Sequence, residues 1–506
     1  MSTTEEISNL LEIFHEKSLV FQPDYPNVDP SKHYRYCSIP GLPDQENFYR
    51  SGQDTDKELV LKQKWRNVDE NGSPNPTYLR NKSRLEHFLK EYKNGGVDFL
   101  ESTILEILND DEKISDKFED LPGLRKFFKL TPDAEKEEMM EKFAKVVRIA
   151  LKAEEVLPER IYRIVDDVFS ATFSQEQCAA LLAWMFFDSR YNRSFLKILN
   201  STHPISIEKI KFLLHYFEQI TGEMPQGTIS FLRVKNSKFM DSEFEKNKKR
   251  LLSDVKIFDD LLIEQTALCT QVDFANKHIG GGVLRLGGVQ EEIRFLMCPE
   301  MIVSMLLFDR MEPDEAISIV GAQVYSSYDG YSGKLKWKPL VPQDSLQNDP
   351  DHRDQFGRLQ TEALAINAIK FFGRQSKNLG QQLEEANLLK ELVKSGVAFS
   401  SNRNFEKIPI FSGWWGCGAY NGNKPLKYLI QLMAASIAGR PFYMCTFGDT
   451  SIGNRCRQMK RRLEMDRVTI GQLHSLLLKI PKLEIYENEM HVFDSIEEML
   501  CKSVGK

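Results

Sequence analysis

The part of this sequence best suited to chemistry is a run of glycines that leads into an amide and two carboxylates: Gly280, Gly281, Gly282, Gly287 and Gly288, then Gln290, Glu291 and Glu292. Glycine lets backbone come close to a ligand and reach positive φ, at an entropic cost that ordinary loops seldom repeat so often. Two familiar phosphate loops can be tested against this spacing. A dinucleotide fingerprint would need its third glycine where Arg285 stands, and a P-loop from Gly282 through Gly287 would need lysine where Gly288 stands. Neither applies. Composition leaves two readings, a ligand loop or a flexible hairpin with a solvated acidic end. Consecutive helical residues point about 100° apart, so Glu291 and Glu292 at a helix start divide their work instead of sharing it. The macrodipole favours ionised carboxylates there, whereas burial disfavours them, so desolvation or a neighbouring charge is needed to keep one protonated as a general acid.

These side chains need elements to hold them. A strand expected over 267–274 runs into the glycine loop, with Asp273 and Asn276 closing it, and ligands of open α/β sheets bind beyond the carboxyl ends of strands. The loop amides, those of Gly281 and Gly282 among them, are expected to face an anion. Two further segments resemble ligand loops more than packing. One is a tyrosine-rich turn, Tyr325, Tyr328 and Tyr331 around Asp329 and Gly330, where small polar residues are usual. The other is a second glycine-rich loop, Gly413 to Tyr420, ahead of a helix expected over 426–438 whose N–H groups would cradle a diphosphate. For each, the alternative is a tight turn with a satellite aromatic cluster.

Further strands are expected over 316–325, 407–411 and 441–447, interleaved with helices over 299–308 and 470–477, which makes this half an α/β layer sandwich. Between 83 and 220 apolar residues recur every three or four positions, so that part is helical. Ser174 with Gln177 forms a capping box there, and Thr469 with Gln472 caps a late helix. Residues 7–14 make a short amphipathic piece in an otherwise aperiodic, Pro-, Asp- and Asn-rich start. The expected division is an extended, partly ordered region 1–82, a helical accessory region 83–250 and a catalytic region 251–506.

The 506 residues allow several cores. A net charge of -6 gives no general attraction to a polyanion, so such a ligand must be gripped locally. The eight cysteines lie scattered from Cys37 to Cys501 without a C-x-x-C pair, and the nine histidines show no metal spacing. That pattern predicts reduced thiols inside a cell, neither a metal nor a cofactor, and no membrane span. Lys460-Arg461-Arg462 and the cluster from Lys246 to Arg250 are basic, and a solvated helix face accounts for such runs.

The residues Val272 to Asn276, the triplet Gly280 to Gly282, and Gln290-Glu291-Glu292 resemble the signature of the poly(ADP-ribose) glycohydrolases. The similarity extends to the tyrosine turn, to the segment from Trp415 to Ala419 and to Thr446 through Asp449, and covers roughly residue 156 to the end. The resemblance implies a macrodomain-like three-layer α/β/α sandwich with a mixed sheet, preceded by an α-helical accessory domain. It implies hydrolysis of the ribose-to-ribose O-glycosidic bonds of poly(ADP-ribose) on modified proteins, with ADP-ribose as product, no direct DNA binding, and a place in the nucleus or cytoplasm. Glu292 would be the general acid, with Glu291 and Asp273 in the same constellation and Glu291 holding ribose hydroxyls. Asn276 and Gln290 would contact the riboses, and Ile263 and Glu264 the adenine edge. Tyr328 and Phe447 would pack against the ADP-ribose, while Trp414, Trp415, Gly416, Cys417, Gly418, Ala419 and Tyr420 would line the diphosphate. Arg285 and Trp414 depart from the family pattern, Arg285 by its bulk. The other readings that a macrodomain allows are a non-catalytic ADP-ribose reader and a hydrolase of protein-linked mono-ADP-ribose.

Overall fold

The computed structural model describes residues 33–35, 37 and 75–504, except 111–116, 159–160, 162, 165–169, 189–192, 237–243, 245–246, 252–253, 341–347, 373–374, 401–407 and 483–487. The piece at 7–14, most of region 1–82 and part of the basic cluster at 246 therefore lie outside the described residues. Eleven strands are described: β1 His33–Arg35, β2 Ser170–Ser174, β3 Thr228–Lys235, β4 Val255–Phe258, β5 Thr270–Asp273, β6 Glu315–Val320, β7 Ser326–Asp329, β8 Lys336–Pro339, β9 Glu362–Ala365, β10 Ile410–Ser412 and β11 Phe442–Cys445. Nine of them form one mixed sheet in the order β1-β2-β3-β6-β9-β5-β10-β11-β4, and β7 with β8 makes a separate hairpin. Strand β5 lies well inside the sheet, parallel to β9 on one side and to β10 on the other. Its carboxyl end at Asp273, opposite Ala365, is thus surrounded by other strand ends.

Helices of eight residues or more are α1 Pro76–Asn109, α2 Pro122–Leu130, α3 Lys136–Val156, α4 Gln175–Trp184, α5 Pro204–Gly222, α6 Gln290–Met297, α7 Gln375–Gln382, α8 Glu385–Phe399, α9 Lys424–Ala438, α10 Thr450–Met465, α11 Ile470–Lys479 and α12 His491–Val504. Successive strand residues point to opposite faces, and the sequence uses this. Ile317, Ile319, Ala363 and Ala365 enter one core with α1 to α6, whereas Ala316, Leu364, Ile366 and Val272 enter the other with α8 to α12. The sheet is covered on both faces, which gives three α/β/α layers.

The capping boxes form as the sequence predicts. Ser174 Oγ accepts from the Gln177 N–H and Gln177 Oε1 from the Ser174 N–H, each at 3.1 Å. Thr469 and Gln472 do the same at 3.2 and 2.9 Å. Helix α4, which Ser174 and Gln177 start, is buried along its length. The strands β2 and β3 fall inside the region expected to be helical. They pair with each other and, through β3, with β6, so the sheet runs on across position 250 and both regions share the core beneath it.

Candidate active site

The chain leaves β5 at Asp273, makes the glycine loop and enters α6 at Gln290. Both glutamates of the first turn are held by backbone. Glu291 Oε1 accepts from the Gly280 N–H at 2.7 Å and Oε2 from the Asn276 N–H at 2.9 Å. Glu292 Oε1 accepts from the Gly282 N–H at 2.7 Å and Oε2 from the Val289 N–H at 2.9 Å. The amides of Gly280 and Gly282 are therefore turned onto the chain's own carboxylates and that of Gly281 onto the His278 carbonyl at 3.2 Å, and Gly281 and Gly282 do not line the adjoining cavity. The need for glycine follows from this wrapping. At Gly281, φ is +49°, and a Cβ would stand 2.4 Å from Glu291 Oε2 and 2.5 Å from Glu292 Oε1. At Gly287 a Cβ would stand 2.6 Å from the Glu292 carboxyl carbon. Gly281→Ala is expected to displace both carboxylates and lower kcat on the order of 10²-fold, as misplacement by about 1 Å does. Steady-state turnover checks this, with calorimetric unfolding to show that the fold persists.

Asp273 is buried behind the glutamates, and neither of its carboxylate oxygens has a hydrogen-bond partner among the described residues. Burial and then the Glu292 charge push its pKa up, against the opposing pull of Arg294. Burial, followed by the charges of Asp273 and Glu292, raises Glu291 well above the ordinary carboxyl range, while the amides of Asn276 and Gly280 pull it back. Asp273 and Glu291, buried together in one dry site beside Glu292, relieve the repulsion by retaining protons. A pKa raised on folding gives a contribution to stability that is complete below the unfolded value of 3.8 and is lost as pH rises toward the folded value. Asp273→Asn, which cannot ionise, is accordingly expected to be more thermostable than the parent from roughly pH 5 upward, with a flatter dependence of Tm on pH. Calorimetry across that range would refute this if both proteins lost stability in parallel.

A cavity of about 610 Å³ opens in front of the glutamates. Glu291, Glu292, Gln290 and Asn276 form one wall, Glu264 and Tyr328 a second, the loop Trp414 to Tyr420 a third, and Phe447 the rim. Tyr328 donates its hydroxyl hydrogen to Glu264 Oε1, and Asn276 Nδ2 donates to the Tyr420 hydroxyl at 3.0 Å. Gln290 is tied to β5 at both ends of its amide, accepting from the Phe274 N–H at 2.8 Å and donating to the Val272 carbonyl at 3.2 Å. Among the described residues no group of His, Cys, Asp and Glu side chains is arranged to hold a metal.

Two models of the poly(ADP-ribose) glycohydrolase family match the chain, its helical domain over residues 130–233 and its macro domain fold over 242–454. Poly(ADP-ribose) glycohydrolase 2 of Caenorhabditis elegans is 44% identical over 494 residues, covering 96% of this chain and 97% of that protein. The chain belongs to the poly(ADP-ribose) glycohydrolase family. Poly(ADP-ribose) glycohydrolase 1 of the same nematode is 45% identical over 99% of this chain, which spans 64% of that relative's length. Poly(ADP-ribose) glycohydrolase 1 of Arabidopsis thaliana is 29% identical over 62% of this chain and 70% of its own.

Not every residue expected at a glycohydrolase site reaches the cavity. Ile263 is 1% exposed and packs with Leu261, Cys269 and Phe411, so Leu262 and Glu264 line the wall in its place. Trp415 touches the cavity but is a core residue, fully buried, with its Nε1 donating to the Ile366 carbonyl at 3.0 Å and Lys427 Nζ 4.0 Å from its ring centre. Arg285 is exposed, so its bulk does not enter the loop it sits on. Two residues, Lys424 and Lys209, were not expected at the site, whereas Tyr331 belongs to the expected tyrosine turn and lines the cavity. Lys424, at the start of α9, lines the cavity beside the loop from Trp414 to Tyr420 and pairs with Asp449 at 2.9 Å. The Tyr331 hydroxyl accepts from the Gln290 N–H at 3.3 Å. Lys209, from α5, is completely buried and donates to the carbonyls of Gly282, Val283 and Arg285 at 3.0, 2.8 and 2.7 Å. Lys424 could have been found from its place just after the second glycine loop. Nothing local in the sequence marks Lys209, whose partners lie more than seventy residues away.

Proposed function

We propose that this chain cleaves the ribose-ribose O-glycosidic bond of poly(ADP-ribose) and releases ADP-ribose, with Glu292 as general acid and base. The observation that carries this reading is the pair of amides, Gly282 and Val289, that fix the Glu292 carboxylate on the cavity wall beside two further buried carboxyls. Glu292 gives its proton to the departing ribose oxygen as oxocarbenium character develops at the anomeric carbon, then takes a proton from the attacking water, which adds to that carbon. A second carboxylate facing it across the bond at ~5 to 9.5 Å, the usual glycosidase arrangement, is not what two consecutive glutamates on one helix turn supply. One carboxylate therefore serves both steps. The substrate's diphosphate, set against the loop from Gly416 to Ala419, Lys424 and the amino end of α9, helps steady the developing positive charge. Glu291 and Asn276 hold the riboses, Glu264 with Tyr328 the adenine, and Phe447 closes over the bound unit.

Product analysis of poly(ADP-ribose) on a modified protein tests the proposal. Free ADP-ribose from the polymer is the expected result. Binding without product would make the chain a reader, and release of protein-linked monomer alone would make it a mono-ADP-ribosyl hydrolase. Among the described residues no helix is long and apolar enough to cross a membrane. The free cysteines support an intracellular place, in the nucleus or cytoplasm.

A further inference from the structure

A second cavity, of about 510 Å³, lies between the edge strand β4 and helix α10. Lys256, Arg457, Lys460 and Arg461 line it, against Asp259 and Asp260. Part of this charge is structural. Arg457 donates to Asp259 Oδ2 at 2.8 Å and to the Ile257 carbonyl at 2.9 Å, and Thr446 Oγ1 donates to Asp259 Oδ1 at 2.8 Å. What remains is Lys256, Lys460 and Arg461 facing Asp260. Lys460 pairs with Glu464 at 3.1 Å along the helix, and a surface pair of that kind is weak and easily exchanged. Lys256 Nζ sits 5.0 Å from the Tyr443 ring centre, and Arg461 is exposed. In a chain of net charge -6 this is a local excess of cations, and it gathers the Lys460-Arg461 run that a solvated face alone would otherwise explain.

Consecutive residues line the two cavities. Leu261 lines this cavity and Leu262 the catalytic one. Phe447, on the catalytic rim, is flanked by Thr446 and Gly448, and the Gly448 N–H donates to the Asp259 carbonyl at 2.7 Å. The basic cavity therefore adjoins the active site along Leu261-Leu262, next to Glu264, and at the Phe447 rim.

We propose that this cavity is an exosite for the diphosphate of the next ADP-ribose unit of a polymer whose neighbouring unit fills the catalytic cavity. The proposal rests on the poly(ADP-ribose) reading above. A polymer with a diphosphate in every unit is the ligand class that needs further anion contacts outside a cavity that already takes one unit. The chain continues from the adenosine ribose on the Glu264 side, across that unit from the scissile bond. A polymer held in both cavities is thus cut internally.

The test uses the full chain carrying Glu292→Gln, so that polymer is not consumed, with Lys256→Ala, Lys460→Ala and Arg461→Ala together. Affinity for long poly(ADP-ribose) is measured against salt, alongside the Kd for free ADP-ribose and the Tm. With each single-strand phosphate contact contributing about 0.7 to the slope of log affinity on log salt, loss of three cations is expected to flatten it by about 2 and to weaken long-polymer binding about tenfold or more. Free ADP-ribose should bind as before. A control set, Lys90→Ala, Lys93→Ala and Lys129→Ala, removes the same charge from exposed positions on α1 and α2 and should leave the slope unchanged. Equal slopes for the exosite set and its parent, or an equal effect of the control set, would overturn the proposal. Because these measurements read binding, they stand apart from the turnover assay on the unsubstituted chain, whose failure would remove the glycohydrolase reading instead.

Discussion

Glu292→Gln is expected to lower kcat by roughly 10²- to 10⁴-fold while the Kd for ADP-ribose stays within about threefold. The size follows from removing the only proton donor assigned to the leaving ribose. The sparing of binding follows from the geometry, because glutamine keeps the length of the side chain and the cavity walls at Glu264, Tyr328 and the tryptophan loop are untouched. Glutamine is not neutral toward the loop. The carboxylate accepts from two amides, Gly282 and Val289, and a side-chain NH₂ would confront one of these donors and leave it unbonded, at a cost of about 1 to 3 kcal/mol. A lowered Tm is therefore part of the prediction, and turnover must be read on protein shown to be folded. Glu291→Gln is the matched comparison, since Glu291 also accepts from two amides, those of Gly280 and Asn276. The proposed division of labour predicts comparable losses of Tm but a kcat loss at least tenfold smaller for Glu291→Gln. Equal kcat losses would mean that the pair acts as one unit and that Glu292 has no separate role.

The order of elements around this pair was legible because it is written locally. A strand ending at Asp273, a glycine run and a helix starting at Gln290 need only short-range pattern, and each is present. The direction of the amides was not legible. Glycine frequency shows that backbone comes close to something, and from sequence an external phosphate and the chain's own carboxylates look alike; only the Cβ positions at Gly281 and Gly287 tell them apart. Trp415 illustrates the same limit, since an aromatic residue in a turn has no periodicity to say whether it faces ligand or core. Its burial is decided by Ile366 and Lys427, which are distant in sequence. Ile263 fails differently. It sits in a single 3-10 turn, Ile263–Gln265, with Leu262 beside it, and which neighbour faces the cavity is a matter of one residue's rotation. Strand β2 was hidden in a helical context because residues 170–174 are too few to show alternation against the long helices around them. Arg285, the residue least explained by the sequence, contributes its backbone: its carbonyl meets Lys209.

Lys209→Met should give the second large effect, a loss of kcat on the order of 10²-fold with retained ADP-ribose binding, because it acts on the glycine loop from behind. The ammonium donates to three carbonyls of that loop, at Gly282, Val283 and Arg285, and the Gly282 N–H in turn holds Glu292. Methionine fills similar space and leaves three carbonyls without their donor, so the loop must relax toward other partners and carry the Glu292 clamp with it. None of the three lies on the cavity wall, which is why the affinity for ADP-ribose should survive. The pH dependence gives an independent readout. Burial pulls the Lys209 ammonium down to about 7, with the Glu292 charge opposing, so near neutrality the group is already titrating. Losing its proton leaves two donors for three carbonyls. Turnover of the parent enzyme is therefore expected to fall as pH rises through about 7, and Lys209→Met, with no proton to lose, should show a flat alkaline limb at its low rate. A purely structural lysine would lower Tm without changing the shape of that limb. The helical region thereby reaches the catalytic carboxylate through one side chain, and an alkaline fall that persists in Lys209→Met would show that another group sets it.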